Sequence, residues 1–404
     1  MKLSNDLLIV NKNQDYLIYN SEFNRALIIN KQTYETLFNN QNEQIDSNKL
    51  SFLSEKEINI LIKNGVLIKS QQEYEENKYI EILNKRDKEV GINVVYFHLT
   101  QRCNLKCTYC YNKNNLNKKD LLTTNEVKEI LFNLAETGVK VINFTGGETL
   151  LRRDIEEVCK YAKSLNLHTE ILSNGMLLNK RMGLLNYVDK FIISLDTLNE
   201  KNNLREGLNT PLLLRNLKNI PPEYRHKFSI RSVSSQNNEN DWKEVKTYVK
   251  NVLGMEHILV PFIPNKFEEM AYIPDLNCFP LDNEDCTLNS SLCGASYKII
   301  AIDSDGSIYP CQTLINTKFR ITNIKETEWL QKLKNSTITS QFQNRTVLNI
   351  KGCESCSIKY LCGGGCSAIS DNLFGDINVS NEVLCGLQRR IAMNKLENLL
   401  IKYA

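Results

Sequence analysis

The alternation of apolar and polar residues divides the chain into an N-terminal, a central and a C-terminal region. In the central region, short apolar runs alternate with stretches whose apolar residues recur with the period of a helix. They predict strands at 94–100, 141–145, 169–172, 191–195, 228–233 and 258–262, and helices at 124–137, 153–165, 212–220 and 242–252. Because most of these strands are apolar on both faces, we expect a parallel sheet covered by crossover helices.

The N-terminal region has a different pattern, in which short alternating runs are separated by Asn-rich turns. It predicts strands at 7–10, 15–19 and 26–29, helices at 33–39 and 54–64, and a closing strand at 65–68. The second helix opens with Ser54 three residues before Glu57, which is a capping-box pattern. We therefore expect a small α+β domain over residues 1–85 that ends in a charged linker helix at 73–88.

Composition and charge fit an ordinary globular protein. The chain has 404 residues, of which 42% are hydrophobic and 24% charged, and this length suffices for two or three domains. A net charge of +3, spread along the chain, gives no footprint for nucleic acid or an anionic membrane. The N-terminus lacks a signal-peptide layout and no apolar run reaches membrane-spanning length, so a cytoplasmic location is expected. In that compartment, thirteen clustered cysteines point to metal ligands rather than disulfides.

The most informative local feature is a C-x3-C-x2-C triplet formed by Cys103, Cys107 and Cys110. Three thiolates at this spacing can hold three irons of a 4Fe–4S cube and leave the fourth iron open to a small molecule. The alternative is a zinc site, which needs four ligands. No fourth cysteine lies near the triplet, and His98 stands inside the apolar run before it, where a core position is expected.

The triplet, with Tyr109 directly before its last cysteine, resembles the motif of the radical S-adenosylmethionine (SAM) superfamily. In that superfamily the open iron binds the amino and carboxylate groups of SAM, and reductive cleavage yields a 5′-deoxyadenosyl radical. The resemblance implies a partial (β/α)6 TIM barrel over residues 90–275, with the chemistry at the carboxyl ends of its strands. It also implies that the backbone of Tyr109 meets the adenine.

Polar residues at the predicted strand ends match the SAM-binding positions of the superfamily. Glu148, after two glycines, would accept hydrogen bonds from the SAM ammonium group, and Arg205 would pair with its carboxylate. The alternative for Arg205 is an exposed surface arginine. The predicted contacts to SAM are Tyr109, Gly146, Gly147, Glu148, Ser173, Asn174, Ser194, Asp196 and Arg205.

A second group of seven cysteines occupies the C-terminal region, residues 276–404. Their spacing resembles the SPASM domain, which houses two auxiliary 4Fe–4S clusters; zinc ribbons are the alternative. The resemblance assigns an outer cluster to Cys353, Cys356, Cys362 and Cys385, and an inner cluster to Cys293, Cys311 and Cys366. The fourth inner ligand stays open between Cys286, the more distant Cys278, and an iron left free for a substrate thiolate. A hairpin at 298–302 and 307–309 would bring Cys293 and Cys311 together, while Cys159 is expected in the core of a helix.

Together these features resemble radical SAM/SPASM maturases of ribosomally made peptides, of the sactipeptide and ranthipeptide type, with an N-terminal PqqD-like recognition domain. The resemblance implies a precursor peptide whose leader adds a strand to that domain, three 4Fe–4S clusters, and an electron donor such as flavodoxin or ferredoxin. A purely structural N-terminal extension is the alternative for the domain.

The expected reaction is thioether formation from a peptide cysteine, with carbon–carbon cyclisation and epimerisation as alternatives. Sulfatase maturases carry a proton-accepting Asp directly after the cysteine that corresponds to Cys311, and here that position is Gln312. Since a neutral amide cannot act as a base, formylglycine formation is disfavoured. A non-catalytic iron–sulfur electron carrier is the remaining class, and no further catalytic residue is identified.

Overall fold

A computed structural model describes residues 1–38, 45, 47–76, 78, 90–281 and 293–404. Its strands are β1 Lys2–Leu3, β2 Leu7–Lys12, β3 Asp15–Asn20, β4 Arg25–Asn30, β5 Leu67–Ile68, β6 Val94–Thr100, β7 Lys106–Cys107, β8 Val141–Gly146, β9 His168–Ser173, β10 Lys190–Ser194, β11 Arg205–Glu206, β12 Phe228–Ser234, β13 Glu256–Pro261, β14 Ile299–Ile302, β15 Ser307–Tyr309 and β16 Thr322–Asn323. Its α-helices are α1 Lys31–Phe38, α2 Glu55–Lys63, α3 Gln71–Glu76, α4 Thr124–Glu136, α5 Ile155–Ser164, α6 Thr210–Lys218, α7 Trp242–Tyr248, α8 Trp329–Lys334, α9 Thr337–Asn344, α10 Lys359–Cys362, α11 Ser367–Phe374 and α12 Glu382–Tyr403.

The centre of the molecule is a nine-stranded sheet in the order β13-β12-β10-β9-β8-β6-β14-β15-β16. Its first six strands are the six predicted ones, and each pairs in parallel with its neighbour. Along the chain they follow one another from β6 to β13, with helices between them. The predicted parallel sheet with crossover helices, arranged as a partial (β/α)6 barrel, is therefore confirmed.

Alternation along the strands decides what lies inside the barrel. Phe97, Phe144 and Ile230 are buried in the apolar core between the sheet and the helices. Since successive side chains of a strand point to opposite faces, neighbours such as Tyr96 and Arg231 face the barrel interior. The outer face is hydrophobic packing, and the inner face carries polar groups.

Local capping signals are found where the sequence predicts helix starts. At α2 the hydroxyl of Ser54 accepts from the backbone N–H of Glu57, and the carboxylate of Glu57 accepts from the N–H of Ser54 at 2.7 Å. Thr123 and Glu126 form the same reciprocal box at the start of α4. These contacts satisfy backbone donors that the first helical turn otherwise leaves unpaired.

The predicted hairpin of the C-terminal region forms as β14 and β15, but its place in the fold was not predicted. Strand β14 pairs in parallel with β6, so the hairpin extends the open edge of the barrel sheet. Ala301 of β14 pairs with Tyr309 of β15 on one side and with Tyr96 of β6 on the other. Cys311 follows Tyr309 by two residues and therefore lies toward the amino end of β6.

The N-terminal region forms the predicted three-stranded antiparallel sheet, in the order β2-β3-β4. Helices α1 and α2 cover one face. The other face packs on the C-terminal region, where Leu17 and Tyr19 meet Leu396 and Leu400 of α12. The predicted closing strand is shorter than expected and pairs with β1 as a separate two-stranded sheet.

A buried ion pair adds to this contact between the N-terminal sheet and the C-terminal region. The ammonium group of Lys359 donates to the carboxylate of Glu22, which follows β3, and to the carbonyl oxygen of Glu354 at 3.0 Å. The two side chains of the pair are 5% and 16% exposed. Breaking a buried pair by removing one partner costs about 3–5 kcal/mol, so this contact holds the two regions together.

Part of the predicted linker helix is seen as α3. Residues 77 and 79–89 lie outside the described residues, whereas Lys78 between them is described. Within the described ranges, none of the helices combines the length and the hydropathy that crossing a bilayer requires.

Candidate functional site

The predicted cysteine triplet occupies a loop at the carboxyl end of β6. Short strands fix the loop, because β7 pairs antiparallel with β11 and places Cys107 opposite Arg205. The N–H of Thr108 donates to the carbonyl of Leu204 at 2.9 Å, next to that pair. The loop is thereby tied to a segment almost one hundred residues later in the chain.

The three thiols lie close enough to influence one another electrostatically. Burial raises the pKa of all three, that of Cys110 to about 11, and neighbouring thiols contribute to the increase at Cys103 and Cys110. A bound metal cation would favour the deprotonated form of these thiols, because thiolates are the species that bind metals. Among the described residues, no three Cys, His, Asp or Glu side chains converge closely enough to bind a single metal ion. In a 4Fe–4S cube each thiolate binds a different iron.

Gly146 and Gly147 bring the end of β8 against this loop. A Cβ atom on Gly146 would lie 2.1 Å from the carbonyl oxygen of Thr100, and one on Gly147 would lie 2.2 Å from that of Arg102. The N–H groups of Gly147 and Glu148 donate to these same two carbonyls at 2.8 Å. The two glycines were predicted to admit a ligand to the backbone. Their contact with SAM stays a prediction, and the structure shows in addition that they allow close contact with the chain that carries the cysteines.

Glu148 joins the ends of β8 and β9. Its carboxylate accepts hydrogen bonds from the hydroxyl of Ser173 at 2.7 Å and from the backbone N–H groups of Asn174 at 2.8 Å and Leu150 at 3.0 Å. Burial raises the pKa of Glu148, and these hydrogen bonds oppose the increase. The side chain of Asn174 donates to Asn104 of the cysteine loop at 2.8 Å. Three predicted SAM contacts therefore meet beside the triplet, although their role toward SAM stays a prediction.

Asp196 and Arg205 form a second polar group at the site. The Nε and Nη2 atoms of Arg205 donate to the two carboxylate oxygens of Asp196 at 2.9 and 3.2 Å. The carboxylate also accepts from the backbone N–H of Val233 at 2.9 Å and from the hydroxyl of Tyr109. The Arg205 side chain is only 11% exposed, which excludes the surface-arginine alternative. Its guanidinium carbon lies 5.2 Å from the centre of the Tyr109 ring.

The charge of Arg205 also acts on the cysteine loop. Burial raises the pKa of Cys107, and the guanidinium of Arg205 opposes that increase. A guanidinium has five N–H donors, and Asp196 takes two of them, so donors remain for a bound carboxylate. Ser194 lies two residues before Asp196 at the carboxyl end of β10, where it is half-buried.

Sequence reasoning missed a chain of buried amides that locks this loop. Gln101 donates to the carboxylate of Asp303 in the β14–β15 turn, and Asn112 donates to Gln101 at 2.6 Å. Asn115 in turn donates to Asn112 and to the carbonyl of Ile315. The sequence contains no signal that these polar residues bind a turn about two hundred residues later in the chain.

Cys159 is a core residue, as predicted, whereas His98 is buried on the face of β6 that carries Tyr96 and therefore faces the barrel interior. Cys159 is fully buried in the hydrophobic core beneath α5. His98 is also fully buried, and burial lowers its pKa to about 3. Neither ring nitrogen of His98 has a hydrogen-bond partner among the described residues.

The three cysteines predicted for the inner cluster also come together. Burial raises the pKa of Cys311 to about 12, and Cys366 and Cys293 act on the same thiol. Cys278 is exposed, and its thiol faces the carboxylate of Asp275 rather than this group. Cys286, the nearer candidate for the fourth ligand, lies outside the described residues.

The four cysteines predicted for the outer cluster line one cavity of about 160 Å³. Its walls include Cys353, Cys356, Cys362 and Cys385, together with Cys366 of the inner group. Burial raises the pKa of Cys353 to about 11, with contributions from the other three outer thiols. Four thiols around one cavity fit an iron–sulfur cluster.

Comparison with known proteins agrees with this geometry. Residues 97–228 match the radical SAM superfamily, and residues 293–357 match an iron–sulfur cluster-binding domain, SPASM. This chain carries a radical SAM domain and a SPASM domain. These two matches support the binding of SAM and of iron–sulfur clusters. The SPASM match ends before Cys362, Cys366 and Cys385, and the structure brings these three to the cavity of the matched cysteines.

Several proteins are similar to this chain. It is 39% identical over 87 residues to the PqqA peptide cyclase of Bradyrhizobium diazoefficiens, covering 21% of this chain and 23% of that one. It is 25% identical over 347 residues to a cysteine-type anaerobic sulfatase-maturating enzyme of Clostridium novyi, covering 68% and 90%. Streptococcus suis SuiB bound to precursor peptide SuiA has the same fold, with a TM-score of 0.55, 18% identity, and 95% and 99% coverage. The match to the PqqA peptide cyclase, like those to two further curated relatives, spans less than a third of the relative's length.

Proposed function

We propose that this radical SAM enzyme modifies a ribosomally made precursor peptide and joins a cysteine sulfur of that peptide to one of its carbons. The observation that carries the proposal is the placement of two cysteine groups at opposite ends of β6. The triplet follows the carboxyl end of this seven-residue strand, and Cys311 lies toward its amino end. At about 3.3 Å per residue the two ends are about 20 Å apart, which an extended peptide of about six residues spans.

The barrel interior between these ends suits a peptide. Tyr96 and Arg231 face it, and burial raises the pKa of Tyr96 while the Arg231 charge opposes the increase. The Tyr111 side chain is 36% exposed, but burial around its phenol raises the pKa of that group. The thiols of Cys110 and Cys311 both contribute to this increase. Tyr111 therefore lies between the two cysteine groups, and polar side chains are available to hydrogen-bond a peptide backbone.

In the proposed enzyme, Cys103, Cys107 and Cys110 hold one 4Fe–4S cluster, and Glu148, Asp196 and Arg205 orient SAM beside it. When bound, the cluster and SAM supply a 5′-deoxyadenosyl radical that removes one hydrogen from the peptide. The chain's own residues fix the geometry, because Glu148 is held by three hydrogen bonds and Arg205 by its pair with Asp196.

The proposed linkage conserves atoms and electrons. A carbon–hydrogen bond and a sulfur–hydrogen bond of the peptide break, and one carbon–sulfur bond forms. One hydrogen atom leaves in 5′-deoxyadenosine and one proton leaves to solvent. One electron would enter as the sulfonium–carbon bond of SAM breaks and methionine leaves. One electron would return from the peptide to an acceptor, and the thiolates of the two auxiliary groups would hold the clusters that supply it. We propose three 4Fe–4S clusters in total, with a flavodoxin or ferredoxin as the external donor.

Mass spectrometry of the product tests the reaction. Incubation of reduced enzyme with SAM and a cysteine-containing precursor should lower the peptide mass by two hydrogens per linkage and block the donor cysteine against alkylation. A matched precursor whose cysteine is replaced by serine should keep its mass. A loss of mass with every cysteine still alkylated would establish carbon–carbon cyclisation instead. An unchanged mass with deuterium uptake from solvent would establish epimerisation.

Sulfatase-type oxidation is the second candidate, because a sulfatase-maturating enzyme is among the relatives. Gln312 argues against it, since its side chain is a neutral amide at the position of the required base. The Oε1 atom of Gln312 is buried without a hydrogen-bond partner among the described residues. A product aldehyde that reacts with a hydrazide probe would overturn the thioether assignment.

We further propose that residues 1–85 recognise the leader of the peptide, that residues 90–275 form the catalytic barrel, and that residues 276–404 hold the auxiliary clusters. Strands β2 and β4 are the outer strands of the N-terminal sheet, and a peptide strand could pair with either edge. Deleting the domain would be a poor test, because the apolar face of α12 that includes Leu396 and Leu400 would be uncovered.

Hydrogen exchange on the intact enzyme tests leader recognition. Addition of the leader peptide should slow amide exchange in one edge strand, Leu7–Lys12 or Arg25–Asn30, because pairing protects its free N–H groups. The central strand Asp15–Asn20 is an internal control, since it is already paired on both sides. A leader of scrambled sequence should protect neither edge. Equal exchange with and without the leader, at concentrations that saturate turnover, would show that the domain is structural.

A further inference from the structure

Arg345 is a buried arginine at the end of α9, and it is only 4% exposed. Its guanidinium donates to three carbonyl oxygens, those of Ile377 at 2.7 Å, Gly364 at 3.0 Å and Gly365 at 3.3 Å. Burial makes such a charge act over longer distances, because little water surrounds it to screen the field.

The carbonyls of Gly364 and Gly365 belong to the short loop between Cys362 and Cys366. Gly363, Gly364 and Gly365 all have left-handed backbone conformations, with φ of 73°, 81° and 68°. A Cβ atom on Gly364 would lie 2.3 Å from the Cδ1 atom of Ile350, so a larger residue would have to displace that side chain and would also be strained at this φ. The loop is therefore shaped to present its carbonyls to Arg345, and it carries one cysteine of each auxiliary group.

The charge of Arg345 acts on both groups of cysteines. Burial lowers the pKa of Arg345, and Cys293, Cys366, Cys353 and Cys362 oppose that change. Cys293 and Cys366 belong to the inner group, and Cys353 and Cys362 to the outer group. The guanidinium keeps its proton, because arginine is not deprotonated in proteins.

We propose that Arg345 is a positioning residue and a shared counter-charge for both auxiliary clusters. Its hydrogen bonds hold the loop that supplies a ligand to each cluster. Its charge favours the reduced state of each cluster, because reduction adds one negative charge beside it. This inference rests on the two-cluster assignment of the proposed function. It makes the reduction potentials of both clusters depend on one residue.

The test is a potentiometric titration followed by electron paramagnetic resonance. It uses full-length enzyme in which Cys103, Cys107 and Cys110 are alanine, so that only the auxiliary clusters contribute signals. In this background Arg345→Gln should move both midpoint potentials to more negative values, whereas Arg345→Lys should keep both nearer to those of the parent. Arg389→Gln is the matched control. Arg389 lines the outer cavity and acts on Cys385, so its loss should move the outer cluster alone.

The outcomes separate the inference from the proposed function. Iron analysis of the parent comes first, and fewer than two clusters there would refute the two-cluster assignment and the inference together. With two clusters present, midpoints that are unchanged in Arg345→Gln, or that move for one cluster alone, would contradict the shared role. Loss of iron from both sites in Arg345→Gln but not in Arg345→Lys supports it, because the charge then stabilises both clusters. Equal loss of iron in both variants would overturn the counter-charge role, because Arg345→Lys keeps the positive charge.

Discussion

Replacing Cys103, Cys107 and Cys110 together by alanine should abolish the reductive cleavage of SAM while leaving most of the iron in the protein. The three thiols share one loop beside Glu148 and Arg205, and the other cysteine groups lie in the SPASM region. If each proposed cluster is a full cube, the wild-type protein binds about twelve irons per chain, and the variant should keep about two thirds of them. Iron analysis and 5′-deoxyadenosine assays after anaerobic reconstitution measure both quantities.

Two single variants are controls for this prediction. Cys159→Ala removes a cysteine that is buried in the barrel core away from the three groups, and it should keep full iron and full SAM cleavage. Cys278→Ala removes an exposed cysteine and should do the same, since its thiol faces Asp275. Stoichiometric zinc without cluster absorbance in the wild-type protein would contradict the cluster assignment as a whole.

The substitution Asp196→Asn should destabilise the barrel by about 3–5 kcal/mol, because it leaves the buried Arg205 guanidinium without its carboxylate. The carboxylate also binds Val233 and Tyr109, so the loss reaches β12 and the cysteine loop. SAM affinity should fall in the same variant, since Arg205 is no longer held in place. Thermal unfolding of the anaerobic holoenzyme and equilibrium SAM binding are the measurements.

Two further variants sharpen this second prediction. The double variant Asp196→Asn/Arg205→Met removes both charges, so it should unfold closer to the wild type than Asp196→Asn alone while still binding SAM weakly. Glu35→Gln is a control that breaks an exposed ion pair, since the side chains of Lys31 and Glu35 are 56% and 50% exposed. It should change the free energy of unfolding by less than about 1 kcal/mol. Full SAM affinity in the double variant would show that Arg205 does not bind SAM.

Features that depend on neighbouring residues could be predicted from the sequence. The six strands of the barrel follow from apolar runs, and the capping boxes at Ser54 and Thr123 follow from spacing within one helical turn. The grouping of the triplet is also local, because three thiols within eight residues must lie close together. The cysteines of the outer group are likewise near in the sequence, except Cys385.

Contacts between distant segments were decided only by the tertiary structure. The sequence does not show that β14 extends the barrel at β6, or that the N-terminal sheet packs on α12. It also does not show that Gly146 and Gly147 lie against the carbonyls of Thr100 and Arg102. Nor does it show that the Arg345 guanidinium donates to the carbonyls of the loop between Cys362 and Cys366.

The physical reason for this division is the range of the interactions. Strand periodicity, helix capping and ligand spacing depend on residues a few positions apart, whose separation the covalent chain limits. Close backbone contact and buried charge pairing depend on which surfaces meet after folding, and packing of the whole chain decides that. The sequence alone therefore determined the cysteine chemistry and the barrel of this protein. The tertiary structure decided which residues hold that chemistry in place.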